Sequence, residues 1–255
     1  MHLHCERYGE GSPLIILHGL FGSSDNWRTL GRKLGAHFSA FVVDLRNHGA
    51  SPHSDDFNYQ LMAEDLKVFM DEHCLASAYL LGHSMGGKVA MHFALAWPER
   101  LEKLVVVDIA PKEYQDRHGK IIQALVSLRL EPFTERREID NALLEAIPDQ
   151  IMRQFLLKNL TRDDRGCFRW RMNLKSIALH YGDINKSLDE DACFDKPTLF
   201  LKGGNSDYMD TGDLVEINRF FPHARLDIVQ GAGHWLHVDA PAEFLSRVCT
   251  FLGAP

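Results

Sequence analysis

The sequence has little cysteine and no cysteine pair of the C-x-x-C type. The cysteines are odd in number and widely scattered; they are Cys5, Cys74, Cys167, Cys193 and Cys249. Such spacing fits neither a disulfide framework nor a zinc site. We therefore expect free thiols in a reducing compartment and no structural metal.

The chain also lacks an excess of positive charge and any long apolar run. It has 28 basic against 35 acidic residues and a formal net charge of −7, which argues against nucleic acid or an anionic membrane as a partner. No apolar run approaches the roughly 20 residues that a membrane-spanning helix needs. The opening residues, MHLHCERYGEG, contain no apolar segment typical of a secretion signal. These features predict a cytoplasmic protein with no membrane span.

What the chain does contain is an alternation of short apolar runs with helical patterns. The predicted strands cover residues 14–17, 40–43, 78–81, 104–107, 198–201 and 226–229. The predicted helices cover 26–35, 61–73, 88–97 and 210–221, with a final helix that has Asp239 as its N-cap. Continuous apolar strands separated by helices indicate an α/β fold whose sheet is mostly parallel and covered by helices on both faces.

The middle of the chain has a different character. Between residues 112 and 191 apolar side chains such as Ile121, Ile122 and Leu125 recur at helical spacing, and there is little strand signal. We predict a helical cap at 112–191, inserted into a core domain made of 1–111 and 192–255. A chain of 255 residues is long enough for one sizeable core with such an insertion.

A serine stands between two glycines in the segment GHSMG at 82–86. With a strand before it and a helix after it, the chain must reverse within about three residues, which forces Ser84 towards a positive φ. A G-x-S-x-G pattern alone would occur by chance in about one chain in ten of this size. The flanking strand and helix make Ser84 a candidate nucleophile rather than a bystander in a glycine turn.

A serine hydroxyl needs a base at neutral pH, and His234 is the best placed of the 14 histidines. It follows the last predicted strand in the glycine-containing loop QGAGHW, which gives the chain order nucleophile, acid, histidine. A loop histidine that caps the final helix is the alternative. His234 and His237 also form an H-x-x-H pair, but no third ligand lies nearby in the sequence, so we predict no metal.

An oxyanion that forms at Ser84 needs two N–H donors. One should be the amide of Met85, directly after the nucleophile, and the other should come from the HGLFG loop at 18–22. We expect Leu20 to supply that second amide, with Phe21 as the alternative. His18 is expected to orient this loop.

The motifs GHSMGG, HGLFG and GAGH together resemble the α/β-hydrolase superfamily over nearly the whole chain. Within it, DLRNHGASP at 44–52, VDIAP at 107–111, FRWR at 168–171 and GGNS at 203–206 look like the bacterial YbfF-type esterases. This resemblance implies an α/β-hydrolase fold and hydrolysis of acyl esters or acyl thioesters, without a cofactor, under a small helical cap.

Two aspartates compete to be the acid that orients His234. The usual superfamily position follows the strand at 198–201 in a G-x-x-D pattern, which here ends on Asp207. The YbfF-type resemblance instead implies Asp108, with Ser206 near the histidine. We prefer Asp108, because an aspartate at the end of so apolar a strand needs a partner, but spacing leaves Asp207 open.

The predicted function is that of a serine esterase or thioesterase acting on a small-molecule acyl substrate. Phe21, Trp170 and Trp235 are candidates for an apolar substrate pocket. Two alternatives use the same fold: a C–C bond hydrolase or lyase with the same site, and a catalytically silent ligand-binding protein. Dehalogenase and epoxide hydrolase chemistry is disfavoured, since those relatives carry Asp at the position of Ser84.

Overall fold

The computed structural model describes residues 1–189 and 191–254. Within them the strands are β1 Cys5–Tyr8, β2 Pro13–Leu17, β3 Ser39–Val43, β4 Ala78–His83, β5 Leu101–Val107, β6 Leu160–Arg162, β7 Phe168–Trp170, β8 Thr198–Gly203 and β9 Ala224–Val229. The α-helices are α1 Arg28–Leu34, α2 Tyr59–Glu72, α3 Met85–Ala96, α4 Gly119–Ser127, α5 Arg136–Leu143, α6 Gln150–Leu157, α7 Leu174–Asn185, α8 Leu214–Phe220, α9 Leu236–Asp239 and α10 Pro241–Leu252.

Seven strands form one sheet in the order β1-β3-β2-β4-β5-β8-β9. Only the pairing of β1 with β3 is antiparallel, and every other pairing in this sheet is parallel. The predicted α/β-hydrolase fold with a mostly parallel sheet is therefore confirmed. Because β4, β5, β8 and β9 are consecutive neighbours, the loops after them meet at one edge of the sheet.

Alternate residues of the strands supply two hydrophobic cores, one on each face of the sheet. Ile15 and Leu80 pack on the face covered by α2 and α3. Leu14 and Leu81, their chain neighbours, pack on the opposite face against α1 and α10. All four side chains are fully buried. A strand that is buried on both faces consists of consecutive apolar residues. For this reason the central strands could be predicted from the sequence.

Three predicted helices start later than expected. The helix predicted from residue 210 begins at Leu214, after a 3-10 turn at Thr211–Asp213. A 3-10 turn at Ser24–Trp27 precedes α1, so the helix proper begins at Arg28 rather than at residue 26. The last helix has Ala240 as its N-cap, and Asp239 ends the short helix α9 instead. The carboxylate of Asp239 accepts a hydrogen bond from the Gly233 amide at 2.8 Å, so it stabilises the loop before His234 rather than α10.

Three short strands had no strong apolar pattern and were missed. The edge strand β1 has a half-exposed sequence, CERY, that pairs on one side only. The strands β6 and β7 form a separate two-stranded antiparallel sheet inside the segment predicted to be a helical cap. Strands this short and partly exposed carry no continuous apolar run.

All seven strands of the main sheet lie within 1–111 and 192–255, and α4 to α7 with the β6–β7 hairpin lie between. The division into a core domain and a cap at 112–191 stays a prediction. All five cysteines are free, as expected. Among the described residues, no helix combines the length and the apolar character that crossing a bilayer requires.

Lys88 binds both ends of the segment 112–191. Lys88 is the fourth residue of α3, and its ammonium group donates to the carbonyl oxygen of Lys112 at 2.7 Å and to that of Lys186. The side chain is almost fully buried, and the ring centroid of Tyr114 lies 5.0 Å from Nζ. Burial lowers the pKa of Lys88 to about 7. One buried side chain thus fixes the chain where it leaves the main sheet and where it returns.

Replacing Lys88 with Met should lower the free energy of unfolding by about 2 kcal/mol, because two partly buried hydrogen bonds from a charged donor are lost. Denaturant unfolding of Lys88→Met and of the wild type measures the difference. Lys186→Met is the control: that side chain is exposed and pairs with Asp183 at the surface, so its loss should leave the stability close to that of the wild type. A Lys88→Met variant as stable as the wild type would contradict this role.

Candidate active site

Ser84 occupies a sharp turn between β4 and α3. Its φ is 53° and its ψ is −120°, a backbone conformation that residues other than glycine rarely adopt. A Cβ atom on Gly82 would lie 2.1 Å from the carbonyl oxygen of Gly86, and one on Gly86 would lie 2.5 Å from that of His18. The predicted positive φ is confirmed, and both glycines are required because backbone occupies the space where a side chain would be.

The sheet register brings Asp108 next to Ser84. His83 at the end of β4 pairs with Val107 at the end of β5, and the Ser84 amide donates to the Val107 carbonyl at 2.9 Å. The next residue along β5 is Asp108, which also has a positive φ, of 52°, and is fully buried. Its amide donates to Leu201 of β8 at 2.8 Å. Two adjacent strands therefore end on the candidate nucleophile and on a buried carboxylate.

Three donors satisfy the carboxylate of Asp108. Oδ1 accepts from the Gly203 amide at 2.9 Å, and Oδ2 accepts from His234 Nδ1 at 2.7 Å. The hydroxyl of Ser206 also donates to Oδ2. Since Ser206 Oγ accepts in turn from the Tyr208 amide at 3.3 Å, its proton is directed at the aspartate. The predicted neighbourhood of Asp108, Ser206 and His234 is present in the structure.

His234 is held by its ring and by its backbone. Its ring stacks on Tyr208 with centroids 3.7 Å apart and an interplanar angle of 15°. His83 Nε2 donates to the His234 carbonyl oxygen at 2.9 Å. Because Nδ1–H donates to Asp108, Nε2 is the nitrogen left to exchange a proton with a group in the cleft.

Asp207, the alternative acid, lies away from the buried cluster. Its side chain is 79% exposed and forms an ion pair with Arg117 Nη1 at 2.7 Å. That ion pair lowers the pKa of Asp207. The guanidinium of Arg117 lies over the ring of Tyr208, 4.4 Å from its centroid. Tyr208 in turn stacks on His234. The geometry brings Asp108, and not Asp207, to the imidazole of His234.

The loop after β2 reaches over the start of α3, and Leu20 and Ser84 line the same cleft. Met85 is the first residue of α3, where an amide has no acceptor within the helix. The Phe21 amide is already used, since it donates to His48 Nε2 at 3.3 Å. Phe21 also has a positive φ, of 61°. These contacts favour Leu20 over Phe21 as the second candidate donor.

Two buried, neutral histidines, His18 and His48, form hydrogen bonds with the backbone of the loop after β2. His18 donates from Nδ1 to the Gly19 carbonyl at 2.8 Å, and its Nε2 accepts from the Leu45 amide at 3.0 Å. His48 accepts from Phe21 with Nε2 and donates from Nδ1 to the Arg46 carbonyl at 3.0 Å. Burial lowers the pKa of both, that of His48 to about 3. The structure thus puts His18 where an orienting residue was expected.

Residues of the segment 112–191 also contact the site, and nothing in the sequence pointed to them. Asn159 Nδ2 donates to the Phe21 carbonyl oxygen at 2.8 Å. His118 lies over the cleft, with Nε2 3.4 Å from the hydroxyl of Tyr208. Burial lowers the pKa of His118 to about 4, so the ring is neutral. These contacts join residues far apart in the chain, which a motif or a periodicity does not reveal.

A cleft of about 210 Å³ opens beside Ser84 and His234. Phe21 and Trp235 line it, as predicted for substrate-pocket residues. Trp170 does not: it lies in β7, packs against the core, and borders a separate depression with Gly49 and Arg169. The structure therefore places Trp170 outside the cleft, contrary to the prediction.

His237 lies at the edge of this cleft. Its ring stacks on Trp27, with centroids 4.3 Å apart and an interplanar angle of 7°. The side chain is buried, and its Nδ1 has no hydrogen-bond partner in the described part of the chain. Within residues 1–189 and 191–254, no cluster of three or more His, Cys, Asp or Glu side chains is arranged to hold a metal ion.

Comparison with known proteins gives a consistent picture. A family model described as "alpha/beta hydrolase fold" matches residues 12–241. The chain is 40% identical over 253 residues to the sn-1-specific diacylglycerol lipase ABHD11 of Danio rerio, covering 96% of this chain and 79% of that protein. It is 34% identical over 242 residues to Esterase YbfF of Escherichia coli K12, covering 94% and 93%. The predicted resemblance to YbfF-type esterases is confirmed.

Among solved structures, the chain superposes on a marine microorganism esterase with a TM-score of 0.96. The two are 42% identical, and the match covers 98% of this chain and 99% of that one. An E-2-(acetamidomethylene)succinate hydrolase superposes with a TM-score of 0.77 at 20% identity, covering 99% of this chain and all of that one, and so shares the fold.

The stability of the protein should fall as the pH is lowered from about 6.5 towards 4. Burial lowers the pKa of His48 and His237 to about 3 and that of His92 and His118 to about 4. The unfolded chain takes up these protons near pH 6.5, whereas the native state does not. The free energy of unfolding therefore drops by about 1.4 kcal/mol per pH unit for each group in this window.

Urea unfolding at a series of pH values measures this slope. The His237→Phe variant is the matched comparison: phenylalanine can keep the stack on Trp27 but binds no proton. Its slope should be smaller than that of the wild type by about 1.4 kcal/mol per pH unit. Identical slopes for the two proteins would contradict the low native pKa of His237.

Proposed function

The chain belongs to the α/β-hydrolase fold family, among members named as esterases and lipases, and on that premise we propose that it is a serine ester hydrolase. Ser84 is the nucleophile, His234 the base and Asp108 the acid that orients it. The observation that supports this assignment best is the 2.7 Å contact of His234 Nδ1 with the buried carboxylate of Asp108, at the edge of a cleft that Ser84 also lines.

In the first half of the reaction, His234 Nε2 accepts the proton of the Ser84 hydroxyl as Oγ attacks the carbonyl carbon of the ester. The charge on the carbonyl oxygen is stabilised by the amides of Leu20 and Met85. Asp108 stabilises the imidazolium that forms. The intermediate collapses when the bond from the carbonyl carbon to the leaving oxygen breaks, and His234 returns the proton to that oxygen.

In the second half, a water molecule gives its proton to His234 and attacks the acyl-enzyme. The bond to Ser84 Oγ breaks, the carboxylic acid leaves, and His234 returns the proton to Ser84. The sum is ester plus water giving acid plus alcohol. An acyl thioester follows the same course with sulfur as the leaving atom. Every group that reacts is a side chain, a backbone amide or water, so this chemistry requires no cofactor.

The substrate is expected to be a small-molecule acyl ester or thioester. The name of the zebrafish relative, a diacylglycerol lipase, makes acylglycerols a suitable first class to assay. No feature of the site favours C–C bond cleavage or a silent binding protein over ester hydrolysis. The cytoplasmic location expected from the sequence stays a prediction.

A fluorophosphonate probe should label the wild-type protein at one site, because the probe reacts only with an activated serine. Ser84→Ala should not be labelled and should lose about 10⁶-fold in kcat for p-nitrophenyl butyrate. Intact-mass spectrometry and circular dichroism measure the labelling and the fold. A folded wild-type protein that neither reacts with the probe nor turns over any ester would refute the proposed function.

The two candidate acids can be separated by matched substitutions. Asp108→Asn should lower kcat by about 10⁴-fold, because an amide in place of the carboxylate no longer holds the imidazole in the required tautomer. Asp207→Asn removes only an exposed ion pair with Arg117, and the change should be less than about fivefold. Measuring kcat for both, with thermal melts to check folding, decides between them. Loss of activity in Asp207→Asn alone would reverse the assignment.

A further inference from the structure

Ser84 lines two pockets, and His234 lines only one of them. The first is the cleft described above, which His234 and Trp235 line. The second lies on the α3 side, where Met85 and Lys88 line it, and it measures about 30 Å³. His234 borders the first pocket but is not part of the wall of the second.

The cleft continues outward into a groove between α6 and α9, which we name the outer groove. It measures about 340 Å³ and shares four wall residues with the cleft, including Phe155 and Trp235. The rings of those two residues have centroids 5.3 Å apart and mark the passage from cleft to groove. Beyond it, Ile151 and Val238 present apolar side chains that are 69% and 62% exposed.

Proton transfer decides which part of an ester lies in which pocket. The group that receives the proton from His234 is the leaving oxygen, and it must lie within hydrogen-bonding reach of the imidazole. The leaving alcohol therefore occupies the pocket that His234 lines. With the reacting carbonyl at Ser84, the acyl group points the other way, towards Met85 and Lys88.

We propose that the outer groove binds the apolar alcohol portion of the ester, so that the enzyme selects esters of extended apolar alcohols rather than esters of long fatty acids. This inference rests on the proposed function. Phe21 and Trp235, expected in the apolar substrate pocket, then line its leaving-group side. The exposed apolar side chains of Ile151 and Val238 contact the distal part of that alcohol and lose their water when it binds.

The difference in size between the two sides gives the class of substrate. The pocket on the acyl side has about a tenth of the volume of the outer groove, 30 against 340 Å³, so a short acyl group fits and a long one does not. The rim of the groove also contains Gln154 and Lys158. A polar or anionic group at the far end of the alcohol would meet these side chains, while its apolar stem lies along the groove.

Two series of soluble esters test the assignment. In the first the acyl group is acetyl and the alcohol grows from ethyl to octyl; in the second the alcohol is ethyl and the acyl group grows from acetyl to octanoyl. The wild type should hydrolyse octyl acetate with a kcat/KM at least about tenfold above that for ethyl acetate, since each buried methylene favours binding. Ethyl octanoate should show no such gain.

The double variant Ile151→Asp, Val238→Asp introduces two negative charges into the outer groove and changes no residue that lines the cleft. It should lose about tenfold in kcat/KM for octyl acetate and leave ethyl acetate unchanged, because an alkyl chain cannot cover a carboxylate without desolvating it. Val215→Asp is the matched control: Val215 is 81% exposed on α8 and lines neither pocket nor groove. It should behave as the wild type does.

Each other outcome has a defined meaning. If ethyl octanoate is the favoured substrate and its hydrolysis is lost in the double variant, the groove holds the acyl chain and our assignment is overturned. If the double variant matches the wild type on every ester, the groove binds neither part and the inference also fails. Failure of the proposed function is distinct: the wild type would then react with neither fluorophosphonate nor any ester in either series.

Discussion

The site depends on one steric constraint, the close approach of backbone to backbone around Ser84. The turn into α3 passes so near to the loop after β2 that a Cβ atom on Gly86 would lie 2.5 Å from the carbonyl oxygen of His18. A Cβ on Gly86 would therefore clash with the backbone of that loop, and one on Gly82 would clash with the backbone of Gly86 inside the turn itself. This close approach holds the loop that contains Leu20 beside the turn that contains Ser84, and a fixed spacing of this kind is what the proposed oxyanion donors need to act without rearrangement.

A second close approach carries His234 across the sheet. To reach Asp108 at the end of β5, the loop after β9 has to pass over β8, which lies between them. Gly203 at the end of β8 makes this possible, since a Cβ there would lie 2.2 Å from the carbonyl oxygen of Gly233. The amide of Gly203 also donates to the Asp108 carboxylate. Because Gly203 has no side chain, it leaves room for the loop that contains His234, and its amide binds the carboxylate of Asp108.

The sequence predicted those parts of the site that depend on local geometry and on chain order. The positive φ at Ser84 followed from its glycine neighbours, and His234 followed from its position after the last strand. The sequence favoured Asp108 over Asp207 but left both open, because both follow strands that end at the same sheet edge and only packing directs one carboxylate inward. Trp170 was misplaced since the hairpin that contains it had no pattern of its own.

Contacts from the segment 112–191 reach both halves of the site. Asn159 binds the backbone of Phe21, next to the candidate oxyanion donor Leu20. On the other side, His118 reaches Tyr208, which stacks on His234. A shift of this segment would therefore disturb the loop that contains Leu20 and the imidazole of His234 together. Because Lys88 ties both ends of the segment to α3, the helix that begins beside Ser84 also sets the position of the residues above it, and the site is assembled as one unit rather than as a core with a separate cover.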